Sequence, residues 1–461
     1  MRIRKYDFDY SRRKMMANVA AGVGGGVLAP VWPTIAATGQ TTKAYPDEVT
    51  SIEVNTKGKI KVGDEITAKN VEHVKHLLDP IFYEQVSKHG RKFKIRAPTK
   101  NIEEMFPYSY LEATLKNYGK AKFDDTGNVV EAATGGPWIG GNPFPDIKTG
   151  DEGIANLTLS WGRHDLSQYA VRDFDINPDG SPAYTYDFYW TELNTTARTG
   201  KEKYFKNQTD RLRHQSVFFT SPQEQAGASF LVPWYYDQRK FPDIYGYLPQ
   251  FRRVRQFPAN QRFEPLVPGA VWFLSDPWAA GDPFLTWGNH KIEARKPMLG
   301  PWASEFERHD ENWEPPRQKD NPKFFDIAYE MAPDVIVTSC EPTGYPRSPV
   351  SKRVAYVDAR NMTASSNIRY DRQGKLWSNF EMAHGQFKGG GKDGKRFIKA
   401  ADGSAGWSWT YVHIYDFQNR RMSLCNHSKG AAGVIARFDA DPEWLFNTYC
   451  TPQALQTLGR A

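Results

Sequence analysis

VFFTSPQEQAGASFLVPWYYDQRKFPDIYGYLPQFRRVRQFP, residues 217–258, decides the fold class. Two apolar, β-prone runs, Val217–Thr220 and Ser229–Tyr236, flank a linker of turn-favouring Ser-Pro and Ala-Gly residues. A third run, Phe251–Phe257, follows Tyr247-Leu248-Pro249. At a period of two, Phe251, Arg253, Arg255 and Phe257 share one face, with Arg252 and Val254 on the other. The pattern predicts a meander of antiparallel strands carrying an arginine cluster. Charged residues are mostly solvated, so a wet face is one reading. The other is a basic rim beside an aromatic surface, where guanidinium groups pair with the carboxylate or phosphate of an amphipathic anion.

The bulk composition supports this. Aromatic residues make up 14% of the 461, and they favour pleated sheet. Hydrophobic content of 39% against 25% charged describes a globular chain with a sizeable core. A formal charge of +7 suggests nucleic acid at first sight. However, Arg2, Arg4, Lys5, Arg12, Arg13 and Lys14 stand against only Asp7 and Asp9 near the start, and the remainder carries about +3. Nucleic acid is therefore not an expected partner.

The leading segment reads as an address. Ser11-Arg12-Arg13-Lys14 precedes a glycine-rich apolar run, Met15–Leu28, then Pro30, Pro33 and the small residues Ile35-Ala36-Ala37. Residues 1–37 resemble a twin-arginine export signal, with cleavage expected after Ala36 or Ala37 and the periplasm as destination. An uncleaved anchor is the alternative, but prolines and glycines make this run a poor spanning helix. No later apolar run is long enough to span a bilayer, so no stable membrane span is expected once the signal is removed. Residues 38–66 are expected to be an irregular extension and 67–461 a single domain. Of three cysteines, Cys425 and Cys450 are the disulfide candidates in an oxidising compartment, leaving Cys340 as a buried spectator.

Along the chain, Val71, Val74, Leu77, Leu78, Ile81 and Phe82 mark a helical face. Pro80 breaks it, so Asp79 is expected to cap and Pro80 to open a second short helix. His73 and His76 lie off the apolar stripe and read as surface rather than as a metal pair. Arg91–Pro98 reads as a strand, Tyr108–Tyr118 as a short helix or a strand, Ile154–Trp161 as a short helix and Pro442–Leu458 as a final helix. From about Arg163 to Tyr415 the pattern is strand, turn, strand. Tyr184, Tyr186, Phe188 and Trp190 share one face, and Trp407, Trp409, Tyr411, His413 and Tyr415 share another. Such ladders fill an ordinary sheet core, or they line an apolar binding wall if a cavity lies against them. Gly389-Gly390-Gly391, flanked by lysines, lacks the ending of a phosphate loop and reads as a hairpin tip.

Catalytic signatures are absent from the sequence. It has no Gly-x-Ser-x-Gly elbow, no His-Glu-x-x-His and no Cys-x-x-Cys, and its ten histidines are scattered. No catalytic residue, metal ligand or cofactor is assigned, and an enzyme is the less expected class.

Several blocks belong together: Asn142-Pro143-Phe144-Pro145 before Gly150, Phe219-Thr220-Ser221-Pro222, and Tyr247-Leu248-Pro249 with Arg252-Arg253-Val254-Arg255. Lys352-Arg353-Val354-Ala355-Tyr356-Val357-Asp358 and Tyr370-Asp371-Arg372-Gln373-Gly374-Lys375-Leu376-Trp377 complete the set. Over most of the chain after residue 60 they resemble the bacterial family Domain of Unknown Function 1329, related to the lipoprotein-sorting proteins LolA, LolB and LppX. The resemblance implies a mainly β, α+β fold: a strongly curved antiparallel sheet, an incomplete barrel, with helices on its concave side and a hydrophobic cavity between. It implies a periplasmic carrier for a lipid, fatty acid or similar ligand, working beside a resistance-nodulation-division type exporter and an outer-membrane protein. An exported enzyme or cofactor protein and a structural envelope subunit are the alternatives. In the carrier reading Tyr186, Phe188, Trp190, Trp409 and Tyr411 form the wall, and Arg253 and Arg255 anchor the polar end.

Overall fold

Aromatic and β-branched runs separated by short polar turns dictate strands, and nineteen are present among the described residues. The computed structural model describes residues 31–41, 45–160, 162–276, 281–302, 316–386, 399–404, 406–427 and 436–459. The twin arginines and apolar run of the expected signal, and the Gly389-Gly390-Gly391 loop, lie outside them. The strands are β1 (Glu65–Ile66), β2 (Phe93–Ile95), β3 (Ala121–Phe123), β4 (Val129–Glu131), β5 (Leu166–Ile176), β6 (Pro182–Asn194) and β7 (Arg211–Ser221). There follow β8 (Ser229–Tyr235), β9 (Ile244–Leu248), β10 (Arg253–Phe257), β11 (Gly288–Gly300), β12 (Arg317–Gln318) and β13 (Asn321–Phe325). The last are β14 (Ala328–Glu341), β15 (Val350–Asp358), β16 (Ala364–Asp371), β17 (Leu376–Gln386), β18 (Trp407–Asp416) and β19 (Met422–His427).

Fifteen of them form one large curved sheet in the order β1-β2-β14-β15-β16-β17-β18-β19-β5-β6-β7-β8-β9-β10, with β11 also paired to β14. It consists of two meanders, β5 to β10 and β14 to β19, joined where the last strand, β19, pairs antiparallel with β5. Among the described residues no pairing joins β10 back to β1, so the sheet stays unclosed. Apart from the parallel β2–β14 contact, its neighbours are antiparallel.

Alternation puts successive side chains of β6 on opposite faces. Phe188 and Trp190 face a trough that collects helices and loops, while Tyr189 and Leu193 pack with Leu445, Tyr449, Cys450 and Leu455 beneath two carboxy-terminal helices. Those helices, Pro442–Tyr449 and Pro452–Gly459, replace the single one expected, because Pro452 interrupts the ladder and opens a second. Residues 71–77 form two 3₁₀ turns rather than an α-helix. Asp79 then caps Phe82 N at 2.8 Å and Pro80 opens the helix Pro80–Lys88. The ambiguous stretch after Pro107 is a helix, Tyr108–Lys116. Helix Gly150–Leu159 begins with a capping box between Thr149 and Glu152. A Cβ at Gly150 would come within 2.4 Å of Lys291 N, so only glycine lets this helix sit directly on β11.

Two segments assigned from sequence to the export signal and extension pack into the body. Helix Trp32–Thr38 buries Trp32, whose Nε1 donates to Ala359 O at 2.8 Å, and Ile52, Ile60 and Ile66 join the cluster of Leu77, Phe93 and Tyr329.

That second layer is pinned by one buried cation. Arg91 reaches Glu381 of β17 in a bidentate pair at 2.7 and 2.8 Å and also donates to Tyr329 Oη at 2.6 Å. Burial opposes ionisation of Glu381, but Arg91 and then His413 outweigh it and hold its carboxyl well below the usual range. Arg91→Met would leave that carboxylate buried and uncompensated. A loss of about 3–5 kcal/mol is expected, read as a lower urea midpoint.

Candidate functional site

The centre of the trough is where β17, β18, β19, β5 and β6 lie side by side. Phe380, Trp409, Val412, Ile414, Cys425, Val171, Phe188 and Trp190 project there, one or more from each strand, and Trp272 closes over them. Between them is an apolar cavity of about 30 Å³. A second of about 20 Å³ adjoins it, lined by Arg163, His384, Trp407 and Ser408 among others, and Trp409 belongs to both. Each volume suits about one or two waters.

This corrects the expectation of an open trough. The concave side is filled by the chain itself, and at the centre Trp272, carried on the segment Val271–Asp276, closes over the cavity. The Trp272 ring lies 5.9 Å from Phe188, and its Nε1 donates to Asp173 Oδ2 at 2.9 Å. Val271 N donates to Ser423 Oγ at 3.1 Å, and Arg353 Nη2 donates to Ser275 O at 2.8 Å. Arg369 Nη1 meets Asp276 Oδ2 at 2.8 Å. Burial pulls Asp276 and Arg369 each towards the neutral form, and their mutual attraction only partly offsets it.

The predicted wall residues divide. Phe188, Trp190 and Trp409 line the apolar cavity together. Tyr186 is buried beside them, its hydroxyl donating to Pro268 O at 2.6 Å. Tyr411 does not face the cavity. In β18 the pairing slips, with Ala383 opposite Tyr411 but His384 opposite Trp409, so Thr410 is an extra residue. Such a bulge inverts the alternation. Trp409, Val412 and Ile414 therefore share the trough face, whereas Tyr411 turns away and donates to Glu381 Oε1 at 3.1 Å. The single ladder read from Trp407 to Tyr415 is thus two half-ladders on opposite faces.

Arg253 and Arg255 pair across β9 with Leu248 and Gly246 and share their face with Phe257. They are exposed on the edge strand, four strands or about 19 Å across the sheet from β6. They line neither cavity. The Arg255 guanidinium stacks over Phe251 at 4.0 Å instead. The disulfide candidate is also corrected: all three cysteines are free and buried. Cys425 lines the trough while Cys450 packs with Tyr189 on the opposite face, so the sheet lies between them.

Sequence reading passed over Trp272, Arg163 and the pair Asp173 and Asp175. The last two are buried, two apart on β5, and so on one face. Burial pushes both carboxyls up; Asp175 rises further because Asp173 lies beside it. Their alternation with Arg172 and Phe174 was the available signal. Among the described residues no cluster of three or more His, Cys, Asp or Glu suits a metal ion. No described helix is long and apolar enough to cross a membrane.

The site and sheet define a class: an unclosed, curved antiparallel half-barrel with an apolar trough plugged by its own loop. Residues 65–456 match the family described as "Protein of unknown function (DUF1329)", and the chain belongs to that family. It is similar to a solved DUF1329 family protein from Desulfovibrio piger at 15% identity, covering 66% of this chain and 97% of that one, with a TM-score of 0.44. It is also similar to an outer membrane lipoprotein-sorting protein domain from Vibrio parahaemolyticus at 16% identity, covering 60% and 89%, with a TM-score of 0.38. A LolA superfamily protein from Nitrosomonas europaea shares 13% identity over 61% and 92%, with a TM-score of 0.36. No curated protein matches the chain.

The raised Asp175 carboxyl sets a pH dependence. A carboxyl raised in the folded state opposes folding increasingly as pH climbs above its unfolded value, and contributes nothing below that value. Asp175→Asn is therefore expected to raise the melting temperature relative to the parent at pH 8 and to leave it unchanged at pH 4, by calorimetry at both.

Proposed function

We propose that this protein is a periplasmic carrier that takes a hydrophobic or amphipathic molecule into the central trough and passes it between envelope components. A resistance-nodulation-division type exporter and an outer-membrane protein are the partners envisaged. The observation that supports this reading is the wall of five strands, which leaves an apolar vacancy at the middle of the core, where native packing leaves few. Each methylene transferred there from water gains about 0.8 kcal/mol, so affinity needs no covalent chemistry. The vacancy is smaller than an acyl chain. Its occupant has to displace Trp272, which is carried on a segment between strands rather than in one and can leave without breaking the sheet.

Native mass spectrometry of protein isolated from periplasm tests this directly. Lipid-sized adducts are the expected result, whereas a bare chain or a metal or organic cofactor would point to a structural subunit or an enzyme. A second measurement probes the cavity itself. Cys425→Leu adds two heavy atoms into the vacancy and should weaken binding of a fluorescent fatty acid by about tenfold or more, without lowering the melting temperature.

A further inference from the structure

We propose that the trough is polar-ended, with Arg163 as the receptor for the anionic head of the ligand. This rests on the carrier reading and deepens it by naming the ligand class: single-chain amphiphiles ending in a carboxylate or comparable small anion.

Arg163 is 2% exposed and lines the smaller cavity. Its Nη2 donates to Asn361 O, but its Nη1 is buried without a hydrogen-bond partner. Among the described residues no carboxylate pairs with it; Asp358, which acts on it from a distance, is committed to Arg360 through bonds of 2.8 to 3.1 Å. Instead the guanidinium is held by rings, at 4.9 Å from Phe106, 5.3 Å from Tyr110 and 5.3 Å from Trp407. Aromatic faces stabilise a cation without satisfying its N–H groups. A second orphan donor lies next door, Nδ2 of the same Asn361. The orphan Nη1 of Arg163, which lines the cavity, carries a penalty that an incoming anion would remove.

Arg163 keeps its charge for this role. Burial draws its pKa down only to about 10. His384, in the same cavity, is driven to about 3 by burial first and then by Arg163, so the imidazole is neutral and leaves one cation for the head.

The geometry also orients the tail. The cavities lie along one strand pair, with His384 opposite Trp409 at the Arg163 end and Phe380 opposite Ile414 at the other. Four residues of strand separate the two levels, about 13 Å, which suits an acyl chain of medium length. Beyond the far level the register runs from Ile414 to Ser423 to Asp175. Among the described residues no cation lines the cavity at that end, and burial holds its two carboxyls towards the neutral form. An anionic head therefore finds its partner at Arg163, and the tail lies beneath Trp272.

The test uses a pyrene-labelled decanoic acid and the corresponding decanol, titrated into the full-length protein and into Arg163→Gln and Arg163→Lys. The parent should bind the acid at least tenfold more tightly than the alcohol. Arg163→Gln should abolish that preference while retaining alcohol binding, and Arg163→Lys should restore part of it. Equal affinity of the parent for acid and alcohol, or an acid preference that survives Arg163→Gln, overturns the assignment and leaves an ordered water as the partner of Nη1. Failure of the parent to bind either probe sinks the carrier reading itself, and the assignment falls with it. Circular dichroism of each variant guards against an unfolded chain. Should Arg163→Gln fail to fold, the acid-to-alcohol ratio of the parent and of Arg163→Lys decides alone.

Discussion

The structure depends on how two buried arginines are disposed about Asp276. Arg353 on β15 and Arg369 on β16 are directly opposite each other across the ladder, and both are buried. Like charges in that position repel, and each uncompensated guanidinium carries a heavy desolvation penalty. Asp276, arriving from the Val271–Asp276 segment, meets Arg369 at 2.8 Å and Arg353 at 4.0 Å. Sheet and plug are therefore electrostatically one unit. The two arginines hold the segment down, and the segment carries Trp272 into the trough. The closed, filled state follows from charge balance in the wall as much as from the affinity of an indole for an apolar cleft.

β17 is the strand through which this core communicates with the rest of the molecule. Phe380 belongs to the wall of the apolar cavity, and Met382 and His384 to that of the smaller one, while Glu381 points the other way to Arg91. One strand thus carries the cavity wall on one side and the anchor of the amino-terminal layer on the other. A displacement of β17 by a bound molecule would be felt at a fully buried, bidentate ion pair, where small shifts in geometry are energetically large.

The trough has a chemical polarity. At one end are a guanidinium wrapped in rings and donors without acceptors; at the other are two carboxyls that resist ionisation, one of them holding the indole of Trp272. Between them the lining is apolar. In the proposed carrier, the small vacant volume and the clasped plug correspond to a closed form, in which ligand binding energy has to offset the release of Trp272. The exposed arginines of β10 belong to a different part of the surface, at the open edge of the sheet. Charged groups there also blunt an edge that would otherwise pair with another chain.

What the sequence by itself determined was whatever local pattern controls: the runs that become β7 and β8, the Tyr186-to-Trp190 alternation in β6, the Asp79-Pro80 helix start, and the residue blocks that mark the family. Each depends on neighbours a few positions away, so periodicity and turn chemistry suffice. Only the tertiary structure decided the site. One extra residue at Thr410 inverted half of a ladder, because register is set by the adjoining strand and leaves no trace in the alternation. Cys425 and Cys450, close in sequence, were parted by the sheet. Trp272 lay in a segment without period, and no local pattern marked Arg91, Arg163, Arg353 and Glu381 as buried. Burial of a charge is a property of what the rest of the chain brings against it, and that is settled by contacts hundreds of residues apart.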